Sequence, residues 1–458
     1  MMSGPATSTP PGGPTLPDPA SHVDALVAWA SARLTGDEVL LAAYAGERSD
    51  FVRFNHGAVR QAGSVEQHAV DLDLIEGRRH ARRSVPLTGD TDVDRARVAD
   101  ALDGLRELRA VVPDDPYLLY RADGPSSTRV GRRDLPDPGD AVDAVRRAGA
   151  GRDLVGLYSA GTTLRGFASS LGTRNWYEAS TFGADWSFHL HGDKAAKHAY
   201  AGFVWDDAEF ERAVQWSVRQ LEVLARPALR RPPGRYRSYL APAAMVEVLD
   251  LLAWGGFGLK AQRTRQTPLL RMLTEGVTLH PSVRITEDTA GGVAADFGAE
   301  GFTRPDQVVL VDGGRLAGCL VSPRSASEYD VPTNGASAWE APESVAVDPG
   351  DLPRDRVLET LGTGLYIGNL WYLNYSDRAA CRVTGMTRFA TFWVEDGEIV
   401  APVDVLRFDD SVLDLLGDRL VGLTDRSEFV LDSASYGARS TGSTRVPGAL
   451  VEDLRFTL

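Results

Sequence analysis

The histidines are the natural place to look for metal chemistry, because a neutral imidazole binds divalent metals near pH 7. The sequence has eight of them, and no two stand in the HExxH spacing that places two rings and a glutamate on one helix. The densest group is His189, His191 and His198, and a strand would put the first two on the same face. Apolar residues surround this group, so the pattern favours a half-exposed strand, with a metal-bound His189/His191 pair as the alternative.

The two cysteines, Cys319 and Cys381, are too few for a disulfide framework or a cysteine-rich zinc site, and this usage is typical of a reducing compartment. Cys381 stands near Arg378 and Arg382, and guanidinium groups favour the reactive thiolate. No histidine can be assigned to it as a base from the sequence. We therefore expect both cysteines to be buried structural thiols, and we keep a thiol-based hydrolase built on Cys381 as an alternative.

Residues 256–261 match the G-x-G-x-x-A pattern of dinucleotide-binding proteins, whose glycines let the backbone approach a pyrophosphate. That pattern must follow a strand, whereas apolar residues at helical spacing precede it here, namely Met245, Val248, Leu249 and Leu252. The glycines are better explained by the end of a helix and a tight turn.

Two groups of basic residues could bind anions. The run Arg78–Arg83 would place charge on both faces of a strand, which is typical of an exposed edge strand rather than of a nucleic-acid site. Lys260, Arg263 and Arg265 could hold a carboxylate of a peptide or of a partner protein. A solvated loop explains these three residues equally well.

Composition limits the possible partners. The 458 residues include 49 Lys and Arg against 63 Asp and Glu, so the net charge of −14 would repel a phosphate backbone. No stretch approaches the roughly 18 to 20 consecutive apolar residues that cross a bilayer, and the chain does not begin with a signal pattern. We expect a cytoplasmic protein that binds neither nucleic acid nor membranes.

The N-terminal region is predicted to contain two α+β subdomains. Residues 1–20 are rich in proline and predict a disordered tail, and a helix capped by Ser21 and Asp24 begins the subdomain 21–112. Its strands are predicted at 38–45, 50–55, 58–65 and 67–75, followed by a helix at 92–108. A linker at 113–138 precedes the second subdomain, 139–229, which has strands at 154–158, 163–169, 175–181 and 185–191 and a helix at 206–226.

The C-terminal domain is predicted to span 230–458 and to be rich in strands. Paired prolines within 230–234 mark its start, because proline cannot continue the preceding helix. Its predicted strands lie at 235–240, 307–312, 315–321, 388–395 and 398–402, with a helix at 243–254. Strands lie next to strands along the chain, so the fold class is α+β, with antiparallel sheets and covering helices.

Several segments resemble the TldD/PmbA family, also known as TldD/TldE or modulator of gyrase. Glu47–Asn55, followed by Gly57 and 59–61, resembles the opening signature of that family. Gly364–Ile367, and the later segments 393–399 and 402–403, resemble its C-terminal landmarks. The resemblance covers nearly everything beyond the tail.

This resemblance implies a subunit of a heterodimeric zinc metalloprotease that trims or degrades unfolded peptides, such as ribosomal peptide precursors and antitoxins. In that family the TldD-type subunit carries the zinc ligands, which are a helical histidine pair with a glutamate and a cysteine near the C-terminus. The corresponding segments here are identified as 255–262, which has no His or Glu, and 431–447, which has no Cys. The resemblance therefore implies no catalytic residue, metal ligand or cofactor in this chain, and places the zinc in the partner.

We accordingly predict a TldE/PmbA-like subunit that is inactive alone and works with a TldD-like zinc subunit on extended peptides. Lys260, Arg263 and Arg265 are the predicted contacts to peptide or partner. The alternatives are a self-sufficient peptidase that uses His189/His191 or Cys381, and a homodimeric peptide-binding scaffold.

Overall fold

The computed structural model describes residues 16–131, 134–192 and 194–458, and within them the chain builds two β-sheets. Seven strands from the N-terminal half form the first sheet, and eleven from the C-terminal half form the second. Helices pack on both sheets, so the predicted α+β fold class is confirmed.

The helices of the described residues are α1 (Pro19–Ser31), α2 (Thr91–Val111), α3 (Pro138–Gly149), α4 (Asp207–Leu224), α5 (Pro242–Ala253), α6 (Leu259–Arg263), α7 (Leu270–Thr274), α8 (Pro323–Tyr329), α9 (Val357–Leu361) and α10 (Val412–Leu415), with a 3₁₀ turn at Arg354–Arg356. The strands are β1 (Val39–Asn55), β2 (Ala58–Glu76), β3 (Arg79–Pro86), β4 (Ser127–Val130), β5 (Asp153–Ser169), β6 (Arg174–His191), β7 (Lys194–Gly202), β8 (Gly234–Leu240), β9 (Ile285–Glu287), β10 (Val308–Asp312), β11 (Arg315–Leu316), β12 (Ser344–Val347), β13 (Gly364–Asp377), β14 (Arg382–Glu395), β15 (Glu398–Pro402), β16 (Arg407–Ser411), β17 (Leu420–Leu431) and β18 (Ser443–Phe456). Within these ranges, no helix combines the length and the apolar character that a membrane crossing requires.

β1 lies at the centre of the first sheet, whose order is β3-β2-β1-β5-β6-β4 with β7 paired to β6. Residues 41–54 of β1 pair with residues 156–169 of β5 in an antiparallel ladder. The regions predicted as two subdomains, 21–112 and 139–229, therefore share one sheet, and the predicted linker 113–138 supplies β4 to its edge. Alternating apolar residues mark a strand but do not identify its partner, so the sequence separated what the fold joins.

The strands of the first sheet are longer than predicted. The predicted strands at 38–45 and 50–55 form the single strand β1, and 58–65 and 67–75 form β2. The polar residues that interrupted the pattern in β1 include Glu47 and Ser49, and both are buried. The segment that covers them comes from the far end of the chain, so the local pattern could not indicate their burial.

The start of α1 also differs from the prediction. The helix begins at Pro19, and the side chain of Asp18 caps it by accepting a hydrogen bond from the Ser21 backbone N–H at 3.1 Å. The predicted Ser21/Asp24 cap is therefore wrong, because proline at the first helical position sets the turn earlier. Of the predicted tail, residues 1–15 lie outside the described residues, and Leu16 is buried.

The predicted edge strand at 78–83 is confirmed as β3, which pairs with β2 at the edge of the first sheet. Its charges are neutralised locally, since Arg79 pairs with Asp114 and Arg82 pairs with Asp73, each at 2.7 Å. These pairings support the structural interpretation of the basic run.

The second sheet contains a closed ring of strands. β8 pairs with β13, β13 with β14, β14 with β16, β16 with β18, and β18 pairs back with β8. The predicted strand at 315–321 is wrong beyond β11, because the chain leaves the ladder there and Leu320 forms an isolated bridge with Gly258.

A shared apolar cluster joins the two sheets. Phe167 and Tyr177 from the first sheet pack with Val293 and Phe297 from the C-terminal half. The Tyr177 hydroxyl also donates a hydrogen bond to the carbonyl oxygen of Val293 at 2.9 Å. This contact positions one face of the first sheet opposite the C-terminal domain and leaves a cavity beside it.

Candidate functional site

A cavity of about 630 Å³ lies between the first sheet and the C-terminal domain. Its walls are formed by β5, β6 and β7 on one side, and by α5, residue 369 of β13 and the segments 341–345 and 428–444 on the other. This volume lies within the usual range of ligand-binding pockets.

The loop 432–442 forms one wall and is fixed to the first sheet by Arg439. The guanidinium of this buried residue donates to Thr181 Oγ1 at 2.6 Å and to the Thr181 carbonyl oxygen at 3.2 Å. Its backbone N–H donates to Glu47 Oε2 at 2.8 Å. Burial lowers the pKa of Arg439, and the nearby negative charge of Glu47 offsets part of that effect.

Six acidic side chains line the cavity, and three of them have a cationic partner. Asp185 lies 3.5 Å from Lys197, Glu343 lies 2.8 Å from Arg304, and Glu428 pairs with Arg354. The remaining three are Glu247, Asp250 and Asp432. Among the described residues, no ion pair joins any of these three to a basic side chain.

Glu247 and Asp250 stand three residues apart on α5 and project from one face. Enclosure by the cavity raises the pKa of Asp250 to about 6, and the charges of Glu247 and Asp432 add to the shift. Enclosure also raises the pKa of Glu247, although Lys197 opposes this. Desolvation and the neighbouring carboxylates therefore both act on Asp250 at this face of α5.

The histidines do not form a metal site with these acids. His198 lines the cavity, where burial lowers its pKa and keeps the ring neutral. His189 and His191 lie at the end of β6, outside the cavity lining. Over the ranges that the structure describes, no three His, Cys, Asp or Glu side chains converge as metal ligands.

Cys381 is fully buried, and burial raises the pKa of its thiol to about 12 despite the opposing charge of Arg378. A neutral, enclosed thiol is a poor nucleophile, so the structure disfavours the thiol-based hydrolase and supports a structural role. Cys319 is half-buried, and burial raises its pKa as well.

We expect Cys381 to resist alkylation by iodoacetamide in the native protein at pH near 8, because the reagent attacks an accessible thiolate. Unfolding in urea should expose the thiol and allow complete labelling, measured by mass spectrometry of tryptic peptides. Cys319 in the same sample serves as the internal comparison and should react sooner. Rapid labelling of native Cys381 would contradict its burial.

The predicted contact residues lie elsewhere. Lys260 and Arg263 are exposed on α6, and Arg265 follows it in the left-handed backbone region at φ 57°. None of the three lines the cavity. Their role at a peptide or partner remains a prediction. The helix α5 precedes the glycines of 256–261, so a dinucleotide fingerprint lacks the strand that it needs.

Glu247 and Asp250 were not among the site residues predicted from the sequence. A signal was present, since they are the two acidic residues in an otherwise apolar helix of twelve residues, at a spacing that puts them on one face.

A model of the PmbA/TldA metallopeptidase C-terminal domain matches residues 233–458. The C-terminal domain of this chain therefore belongs to the PmbA/TldA family. This match confirms the family prediction. None of the curated protein sequences matched the chain.

The TldD/PmbA fold extends over nearly the whole chain. TldE from Thermococcus kodakarensis is 14% identical, with a TM-score of 0.75 over 95% of this chain and 100% of that one. A candidate modulator of DNA gyrase from Thermotoga maritima is 16% identical, with a TM-score of 0.73 over 95% and 99%. Another from Bacteroides thetaiotaomicron is 16% identical, with a TM-score of 0.70 over 95% and 98%. At these identities the comparisons establish the fold.

Proposed function

We propose that this chain is a TldE-type subunit that binds extended peptides in the cavity between its two sheets and relies on a TldD-type zinc subunit for cleavage. The observation that carries the proposal is a large cavity whose described side chains include carboxylates but no converging set of metal ligands. Zinc hydrolysis requires about three protein ligands and an open coordination position. The donor set of the described residues does not fit zinc, and we infer that the chain contributes by binding and orienting the peptide.

The strands at the cavity support binding of extended chains. Among the described strands, β7 pairs with β6 alone and β17 pairs with β18 alone. Each of the two therefore has one edge without a partner strand. Consecutive residues of both regions, 197–201 and 430–435, line the cavity. Backbone N–H and C=O groups at such edges can pair with a peptide of almost any sequence, which suits a protease of unfolded substrates.

Co-expression with a TldD-type subunit from the same genome tests the pairing. We expect the two proteins to co-elute and zinc to appear only with the partner in elemental analysis. We also expect the complex, but not this chain alone, to cleave unstructured peptides. A complex whose TldD-type subunit lacks its zinc-ligand histidines is the matched control. Chelator-sensitive cleavage by this chain alone would overturn the proposal, and a stable dimer of this chain that excludes the partner would favour the homodimeric scaffold.

A triple variant Lys260→Ala, Arg263→Ala and Arg265→Ala tests the predicted contacts. If these residues hold peptide or partner, cleavage by the complex should fall while its zinc content stays unchanged. Unchanged cleavage would leave the segment without that role.

A further inference from the structure

We propose that the cavity selects peptides by their positive charge, with Glu247, Asp250 and Asp432 receiving a lysine, an arginine or a free α-amino group. This inference rests on the proposed function and adds a substrate class to it.

The first observation is the unbalanced charge of the wall. Asp185, Glu343 and Glu428 form ion pairs with basic side chains, whereas Glu247, Asp250 and Asp432 face the cavity without an ion pair among the described residues, although Lys197 lies near Glu247. These three groups lie close enough to act on one another, since both Glu247 and Asp432 raise the pKa of Asp250. A cation placed among them would relieve their mutual repulsion, so charge complementarity favours a cationic occupant.

The second observation is independent of the acids and concerns the exposed aromatic residues. In the described part of the chain, the exposed large aromatic side chains are Trp254, Trp339, Trp371, Tyr372 and Tyr436. Trp254 lines the cavity itself, and each of the others lies within three residues of a lining residue. The exposed large apolar residues of the first sheet and its helices are all aliphatic. Exposed aromatics are thus concentrated in the chain segments that line this cavity.

Aromatic faces attract cations, and the rings of Trp254 and Trp371 already do so within the protein. The Arg378 guanidinium lies 5.2 Å from the centre of the Trp254 ring, and that of Arg388 lies 3.9 Å from the centre of Trp371. Among the described residues, no guanidinium lies over the exposed rings of Trp339 and Tyr436. The aromatic face of Trp254 and the carboxylates of the same cavity wall together suit a basic side chain.

Binding to the chain alone tests the inference without the zinc subunit. The probes are a short, unstructured, fluorescein-labelled peptide containing arginines and an otherwise identical peptide in which citrulline, a neutral isostere, replaces each arginine. We expect fluorescence anisotropy to show that the arginine peptide binds at least about tenfold more tightly.

The double variant Glu247→Gln/Asp250→Asn should reduce this preference to about twofold or less. The control Asp92→Asn/Glu107→Gln removes the same net charge from exposed positions of α2. This control should retain the preference for the arginine peptide. The single variant Asp250→Asn should give an intermediate preference, which keeps the test decisive if the double variant does not fold.

Equal binding of the two peptides, no binding of either, or a preference that survives the double variant would overturn the inference. Equal loss of preference in the control would also overturn it, because the effect would then reflect net charge alone. Co-elution and zinc-dependent cleavage without charge preference would remove this inference and leave the proposed function intact. Charge preference without co-elution would support this inference and contradict the proposed pairing with a TldD-type subunit.

Discussion

Replacing Arg439 with methionine should lower the free energy of unfolding by about 1 to 3 kcal/mol, because it removes a buried, charged hydrogen-bond donor. Glu47 is buried beside it and accepts the Arg439 backbone N–H, and it would lose the favourable interaction with the nearby guanidinium. Thr181 would also lose the donor that its hydroxyl and carbonyl oxygens accept from. Because Arg439 holds the loop 432–442 against the first sheet, we expect protease cleavage in that loop to accelerate.

Urea unfolding followed by circular dichroism measures the loss. Arg426→Met, at an exposed position of β17, is the control and should change stability by less than about 0.5 kcal/mol. In the double variant Glu47→Gln/Arg439→Met the loss of stability should be smaller than the sum of the two single losses. The Glu47 carboxylate, which the single variant deprives of the nearby guanidinium, is then replaced by a neutral amide. A loss below about 1 kcal/mol for Arg439→Met would show that the loop is held in another way.

Replacing Glu287 with glutamine should stabilise the protein at pH 8 but not near pH 4.5. Glu287 is buried in β9, where burial raises its pKa to about 7 although the backbone N–H groups of Glu343 and Ser344 donate to it. Between the unfolded pKa, near 4.5, and the folded value, the native state holds a proton that the unfolded chain releases, so stability falls as pH rises. The full cost above pH 7 is about 3 kcal/mol.

Urea unfolding of the wild-type chain and of Glu287→Gln from pH 4.5 to pH 8 isolates the contribution of Glu287. All other ionisable groups are present in both proteins, so their effects cancel in the difference. Glutamine keeps an oxygen that can accept the two backbone N–H groups and removes only the charge. The stability difference in favour of Glu287→Gln should therefore grow with pH and level off above pH 7. Parallel profiles would show that Glu287 is ionised without cost, and Glu107→Gln on the exposed face of α2 should give that parallel result.

The elements of the fold were predictable where local patterns decide them. The helices α2 and α4 and the strand β15 follow from apolar spacing and capping residues, as when the Asp90 side chain accepts the backbone N–H groups of Asp92 and Val93. The ladder between β1 and β5 was not predictable, because it joins residues more than a hundred positions apart. Similarly, Glu47 and Ser49 look solvent-facing in the sequence until Arg439 covers them.

The candidate site was less predictable than the elements that form it. The basic cluster Lys260, Arg263 and Arg265 was predicted to contact peptide or partner. Tertiary packing leaves it on the surface, outside the lining of the cavity. Glu247 and Asp250 looked like the ordinary solvent face of an amphipathic helix. Whether such a face meets bulk solvent or encloses a cavity depends on the domain packed opposite, which the helix sequence does not encode.

The closed ring of strands in the C-terminal domain cannot form until the last strand, β18, has been synthesised. Leu240 of β8 pairs with Ala449 of β18, so β8 emerges from the ribosome long before its partner exists. At typical translation rates of about 5 to 20 residues per second, the wait is roughly 10 to 40 s. During that time the growing chain exposes an unpaired β-edge, and a nascent-chain chaperone would have its greatest effect on yield in this interval.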